Sequence, residues 1–374
     1  MNIEPARLEE WMRTYYFETA IDIGSSGVRN FSLRELRQFA DLTPDDLDDL
    51  VFNDGHSLGS QPLRRQIARC SGTGDPERVM VTHGSSEAIY LLMHVLLRPG
   101  DEVVVLDPAY YQLYSCAQAI GCRLVRWPLR FAQRFAPDLA ELGRLLTPRT
   151  RMVVVNFPHN PTGTSMTAAQ QDTLVAMVAD AGAYLVWDGA FAELVYEGTP
   201  LPVPSARYER CVSTGTLSKA YGLAGLRVGW CLAAPDVLER CVKLRDHMTL
   251  HLSPLVELIA TRALEHRDAL VARRLAEART NLDRLSQWVD AHAPLVDWVR
   301  PQGGVCTLLR LNHVPDVTAF CHQLARDYRV LVVPGVCFDQ PECVRVGFGG
   351  SASTLDAGLA WLSECLTAVA MAPL

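Results

Sequence analysis

Residues 213–230 read STGTLSKAYGLAGLRVGW. A β-rich run, CVSTGT (211–216), leads into a Ser/Thr turn that carries Lys219. A second run, RVGWCLA (227–233), starts at Arg227, eight residues beyond the lysine. Further short β-rich runs precede this pair: ERVMVTHG (77–84), DEVVVLD (101–107), RMVVVNF (151–157) and AYLVWD (183–188). Several are continuously apolar, as strands covered on both faces of a sheet are. Helical periods lie between them. In SSEAIYLLMHVLL (85–97) apolar residues recur at three- and four-residue spacing, with Ser85 or Ser86 as the expected N-cap. Strand–helix alternation of this length predicts an α/β domain with a mainly parallel sheet.

Downstream, residues 238–295 carry helical periodicity without strand signals, as in VARRLAEARTNLDRL (271–285). CTLLRL (306–311), RVLVVPG (329–335) and CVRVGFG (343–349) then read as strands, and 353–370 as a closing helix. A smaller α+β domain is expected here, joined by the N-terminal segment. No repeat, low-complexity tract or flexible linker intervenes, so the two parts should pack closely.

The chain has 374 residues, 49% of them hydrophobic and 21% charged, and a formal net charge of -7. That charge, with no basic run, argues against nucleic acid or an anionic membrane surface as a partner. The N-terminal MNIEPARLEEW lacks the apolar core of a secretory signal, and no run approaches the ~20 apolar residues of a membrane span. None of the eleven cysteines forms a C-x-x-C pair, and most sit in apolar stretches such as VGWCLAA (228–234). They are expected to be free, mostly buried thiols in a reducing compartment, not zinc ligands. A cytoplasmic enzyme without a metal is the expectation.

Polar motifs fall at the strand ends and helix starts. In the opening stretch Thr216, Ser218 and Arg227 can converge on one phosphate, the arginine giving a bidentate, charge-assisted contact. THGSSEA (82–88) puts Gly84, Ser85 and Ser86 at a strand-to-helix turn, where free backbone N–H groups and the helix dipole favour an anion. WDGAF (187–191) ends an apolar strand in Asp188, suited to capping a helix or to pairing with a protonated ring nitrogen. NFPHNPTG (156–163) makes a Pro/Gly turn that presents Asn160, and DPAYY (107–111) offers Tyr110 as an aromatic platform. A solvated lysine, a bare turn or a core aromatic would explain any one of these alone. Together they supply what pyridoxal 5′-phosphate (PLP) requires: an amine for the Schiff base in Lys219, an anion beside the pyridine nitrogen, a phosphate cup, a ring platform and a donor to the phenolic oxygen.

In this order and spacing the motifs resemble the class I/II aminotransferase family, the PLP enzymes of fold type I, over nearly the whole chain. The resemblance implies an α/β fold with a large PLP-binding domain (46–270). That domain holds a mixed, mostly parallel seven-stranded sheet between helices. A small α+β domain is made from both termini (1–45 and 271–374). It also implies a homodimer with active sites at the interface, and Arg345, in CVRVGFG, as the grip on the substrate α-carboxylate. PQGGVCTLL (301–309) and PGVCF (334–338) resemble the family's small-domain motifs.

Three departures stand out. Phe191 replaces the tyrosine that donates to the cofactor's O3′, which leaves Asn160 to hold that oxygen alone. Asp54 stands where the family has a tyrosine that reaches the partner subunit's phosphate. IDIGSSGVRNF (21–31) replaces a glycine-x-proline signature that lines the substrate pocket, which puts Ser26 and Gly27 against substrate.

The core motifs serve amino transfer and β-elimination with addition equally, and do not choose between them. DIGSSGVRNF (22–31) and FNDGHSLG (52–59) resemble PLP-dependent cyclases of antibiotic biosynthesis. That resemblance implies Cα deprotonation of 3-hydroxyarginine, loss of the β-hydroxyl, and attack of a guanidine nitrogen on Cβ to close a six-membered ring. Asp54 or His56 is then expected to touch the guanidinium. The alternative is an aminotransferase for an aromatic, neutral or basic amino acid, using a 2-oxo acid as acceptor. A non-catalytic PLP-binding regulator would need a basic DNA-binding module, for which length and charge leave no room.

Overall fold

The computed structural model describes residues 3–371. In chain order the strands of the described residues are β1 (Ile21–Asp22), β2 (Val79–His83), β3 (Glu102–Asp107), β4 (Arg123–Pro128), β5 (Thr150–Asn156), β6 (Tyr184–Asp188), β7 (Cys211–Thr216), β8 (Val228–Leu232), β9 (Val296–Trp298), β10 (Cys306–Leu311), β11 (Val330–Leu331), β12 (Val333–Pro334) and β13 (Cys343–Gly347). The main sheet has seven strands in the order β2-β8-β7-β6-β5-β3-β4. Only β8 runs against its neighbours β2 and β7; the pairs from β7 through β4 are parallel.

Both faces of this sheet are covered, which is why several of its strands read as unbroken apolar runs. Met80, Val103, Val105, Val154, Val186, Val212 and Cys231 face one layer, with the helices Gly84–Leu96 and Pro235–Arg245. Val104, Leu106, Val153, Val155, Leu185 and Trp187 alternate with them and pack on the helix Ala168–Asp180. β4 escaped the sequence reading because it is an edge strand. Its RLVRWP is only partly buried, and the Arg126 guanidinium lies over the Tyr114 ring, so it lacks the apolar signature.

The expected Ser85 or Ser86 N-cap is corrected. The helix Gly84–Leu96 has His83 at its N-cap, so both serines lie in its first turn. The Glu87 carboxylate takes the backbone N–H of His83 (2.6 Å) in the role a capping side chain would fill. RVLVVPG is likewise two short strands. β11 pairs with β1, β12 pairs with β13, and the chain changes sheets at Val332, whose carbonyl accepts the Trp11 indole N–H (2.7 Å).

The second sheet, β12-β13-β10-β9, is antiparallel. Arg345 sits in the middle of β13, opposite Leu308 of β10. The segment after β1 lies against the end of β13: Ile23 O accepts from Gly347 N (2.8 Å), and Gly349 O from Arg29 N (2.9 Å). A Cβ at Gly347 would fall 1.8 Å from Ser25 O, so only glycine permits this approach. That contact carries Ser26 toward the ends of the main-sheet strands. Nine of the eleven cysteines are buried and none is bonded to another. Among the described residues, no helix is long and apolar enough to cross a membrane.

Candidate active site

A cleft of about 910 Å³ opens at the carboxyl ends of the parallel strands, the usual ligand position in such sheets. Sheet register brings the first residues together. Asn156, Asp188 and Thr214 are neighbours on β5, β6 and β7. Asn156 donates to Asp188 O (2.9 Å), and its Oδ1 accepts from Asn160 N (2.8 Å), which fixes the turn after β5 over the sheet. The turn is closed by Gly163 N on His159 O (2.7 Å). Asn156 and Thr214 were not singled out in the sequence. Their positions at strand ends beside the motifs are the signal that points to them.

Asp188 is buried and its Oδ1 accepts from Thr214 Oγ1 and Ala190 N, both at 3.1 Å. Its other oxygen has no hydrogen-bond partner among the described residues. Burial pushes its carboxyl up to about 6, against these hydrogen bonds and the Lys219 charge. Lys219 donates to Ser26 Oγ (3.0 Å) and lies 5.6 Å from the Phe191 ring centre. Burial, followed by the Arg345 guanidinium, pulls its amine down to about 8. Arg345 is buried and donates to Asn160 Oδ1 (3.2 Å) and Gly24 O (2.8 Å), while its Nε is buried without a partner. Because Asn160 Oδ1 is taken by Arg345 and the Cys306 thiol (3.6 Å), its amide nitrogen is the end left for a ligand. Tyr110 lines the same cleft, its hydroxyl pushed far up by burial.

The cup at one end is built by close approach. A Cβ at Gly229 would lie 2.3 Å from Ser85 N, and one at Gly84 would lie 2.6 Å from Arg227 Nη2. Glycine at both places lets Arg227 stand over the start of the helix Gly84–Leu96, whose first-turn N–H groups have no intrahelical acceptor. Arg227 also donates to Ser218 Oγ (3.3 Å), which is 3.0 Å from Thr216 Oγ1. The Thr216 hydroxyl is shared with Val228 O (3.1 Å). Ser85, Ser86, Thr216, Ser218 and Arg227 all line the cleft.

Ser26 and Gly27 line the cleft, as do Gly84's neighbours Ser85 and Ser86. Asp54 and His56 do not. The Asp54 side chain is fully exposed and pairs with His251 Nε2 (3.3 Å), while His56 Nδ1 accepts from Leu58 N (3.1 Å). Residues 51–56 are largely exposed at the surface, as a segment that reaches a partner subunit's site would be.

These features fit PLP: a cradle that two Cβ atoms would fill, a buried carboxylate without a counter-cation, and an amine of lowered pKa. The chain holds two lysines, and the other, Lys243, is exposed and paired with Glu239 at 2.7 Å.

Comparison with known proteins agrees. The family described as aminotransferase class I and II matches residues 44–362. Capreomycidine synthase of Streptomyces vinaceus is 48% identical over 96% of this chain and 93% of its own. The arginine–pyruvate transaminase AruH of Pseudomonas aeruginosa is 30% identical over 81% of this chain and 80% of its own. The solved structure of the PLP-dependent cyclase OrfR superposes with a TM-score of 0.94 at 43% identity, covering 98% of each chain. The chain belongs to the class I and II aminotransferase family and is a PLP-dependent enzyme of fold type I.

Proposed function

We propose that this enzyme converts (2S,3S)-3-hydroxyarginine to capreomycidine in antibiotic biosynthesis. The observation that carries this reading is the 48% identity to capreomycidine synthase over 96% of the chain. The similarity to AruH, named for arginine, supports a guanidino amino acid as substrate.

In this proposal Lys219 holds the cofactor's aldehyde carbon and Asp188 pairs with its ring nitrogen. Tyr110 stacks on the ring, and the Asn160 amide donates to O3′. Gly84, Ser85, Ser86, Thr216, Ser218 and Arg227 surround the phosphate. Arg345 takes the substrate α-carboxylate, with Ser26 and Gly27 beside the substrate. Bound there, PLP supplies an electron sink for the pair released when the Cα–H bond breaks. The chain's own work is to hold and move protons. Once substrate has displaced it, the Lys219 amine takes the Cα proton, and a pKa of about 8 suits an acid–base group near neutral pH. Arg345 fixes the α-carboxylate so that the Cα–H bond points at that amine. The proton taken by Lys219 leaves with the β-hydroxyl as water; a guanidine nitrogen then adds to Cβ, and the proton it sheds returns through the Lys219 amine to Cα.

The residues divide, on this reading, into a PLP-binding part (46–270) and a small part (1–45 with 271–374), with the helix Arg267–Ala291 crossing the junction. A homodimer is supported by the exposed Phe17, Val51, Phe52 and Leu250. We place the enzyme in the cytoplasm.

Incubation with 3-hydroxyarginine and no oxo acid is expected to yield a product lighter by one water with all nitrogens kept. Amino transfer is the competing outcome, since the same core serves it and AruH is named for it. Stoichiometric pyridoxamine phosphate and a 2-oxo product would reject the cyclase. The cup has its own test. Gly229→Ala drives a methyl group onto the Ser85 backbone. It is expected to cost about 1–3 kcal/mol and to weaken PLP binding roughly tenfold. Unchanged affinity in a spectral titration of cofactor-free protein would count against the cup.

A further inference from the structure

The helix Arg7–Tyr15 has two faces. Leu8, Trp11 and Tyr15 are buried; Trp11 donates to Val332 O (2.7 Å) and Tyr15 OH meets His322 Nδ1 (2.6 Å). These contacts fix the helix against Val332, between β11 and β12, and against the helix Val317–Asp327. Glu9, Met12, Arg13 and Tyr16 recur at i, i+3, i+4 and i+7 and line the cleft. A cationic side chain extending from a substrate held at Arg345 and Lys219 needs a carboxylate within the same cleft. Three carboxylates line it: Glu9, Asp22 and Asp188. Asp22 Oδ1 is tied to the backbone N–H groups of Gly24 and Ser25, both at 2.9 Å, which holds that carboxylate to the turn after β1, and Asp188 is assigned above to the ring nitrogen. Glu9 has neither a hydrogen bond nor an ion pair among the described residues. Its charge still reaches the site, since it acts on Lys219, Tyr110 and Tyr111.

We propose that Glu9 is the specificity residue that receives the substrate guanidinium. This rests on the guanidino substrate proposed above. A carboxylate matches a guanidinium in a two-point, charge-assisted contact, and a neutral ureido group gains far less from it. Arg13, one turn on along the same face, disfavours a substrate with a second cation beyond the first.

The test is equilibrium binding of L-arginine and L-citrulline to the PLP-loaded enzyme by calorimetry. L-arginine lacks the β-hydroxyl and stops short of ring closure, and citrulline is its uncharged near-isostere. Wild type is expected to bind arginine about tenfold or more tightly than citrulline, the weight of one charge-assisted contact in a half-buried site. In Glu9→Gln the ratio is expected to fall to within about twofold of unity, with citrulline affinity held, while Glu9→Asp keeps most of the preference. Glu9 has no partner to lose, so Glu9→Gln is expected to keep the wild-type Tm and cofactor spectrum. A preserved arginine preference in Glu9→Gln overturns the assignment of Glu9 alone. No preference in wild type overturns it together with the guanidino substrate.

Discussion

Lys219→Ala is expected to lower turnover of 3-hydroxyarginine by more than about a thousandfold, combining the loss of a positioned proton carrier with that of the covalent anchor. Borohydride reduction of wild type should leave the cofactor's mass on the peptide containing residue 219, and the variant should carry none. The chain makes this test unusually clean, because its one other lysine, Lys243, is exposed on the helix Pro235–Arg245 and paired with Glu239. Lys243→Ala is the control and should match wild type. Arg345 enters the same prediction, because its charge is the second cause of the low Lys219 pKa. An Arg345→Gln variant should therefore move the alkaline-side titration of the Lys219 amine upward as well as weaken substrate binding. Normal turnover in Lys219→Ala would remove the chemical basis of the whole reading.

The parts legible in the sequence are those where one residue type serves one local need. The buried parallel strands β3, β5 and β6 announce themselves as apolar runs because water reaches neither face. Gly229 and Gly84 sit inside the motifs because a methyl group at either would collide with Ser85 or Arg227. Long-range closure is less legible. That Asn156 would hold both the Asp188 carbonyl and the Asn160 amide depends on a β5–β6 register that no local pattern encodes. The Ser26–Lys219 bond joins residues 193 apart, through a contact that depends on Gly347.

The acids that could meet a guanidinium show the same limit. Asp54 drew attention as an acid standing where the family has a tyrosine, which is an argument from position along the chain. Within the chain the cleft is lined by a helix whose Glu9 looks in sequence like any charge near an N-terminus. An amphipathic period reveals which face is buried, but not that the opposite face looks onto a cavity and not onto solvent.

Asp188→Asn is expected to separate stability from function with opposite signs. In the cofactor-free fold, burial holds this carboxyl near 6, whereas an unfolded aspartate titrates near ~3.9. An acid with a raised folded pKa keeps its proton longer when folded. Its stabilising contribution is therefore present at low pH and is lost as pH rises from ~4 through the folded value. At pH 8 the ionised group costs the empty fold up to about 2–3 kcal/mol. Asparagine keeps an oxygen for Thr214 and Ala190 without the charge. Cofactor-free Asp188→Asn should then melt about 3 °C above cofactor-free wild type at pH 8, with the gap closing below ~pH 5. Loading with PLP should reverse the order, because a protonated ring nitrogen beside the carboxylate turns that cost into a charge-assisted pair. Turnover of the variant should fall roughly a hundredfold or more, since the ring nitrogen loses the anion that keeps it protonated. The pH dependence of cofactor binding completes the argument. Wild-type affinity should weaken as pH falls below about 6, because Asp188 then holds a proton that pairing must expel. The variant has no such proton and should lack that limb. Equal melting temperatures at pH 8, or an acid limb retained in Asp188→Asn, would show that a group other than Asp188 faces the ring nitrogen.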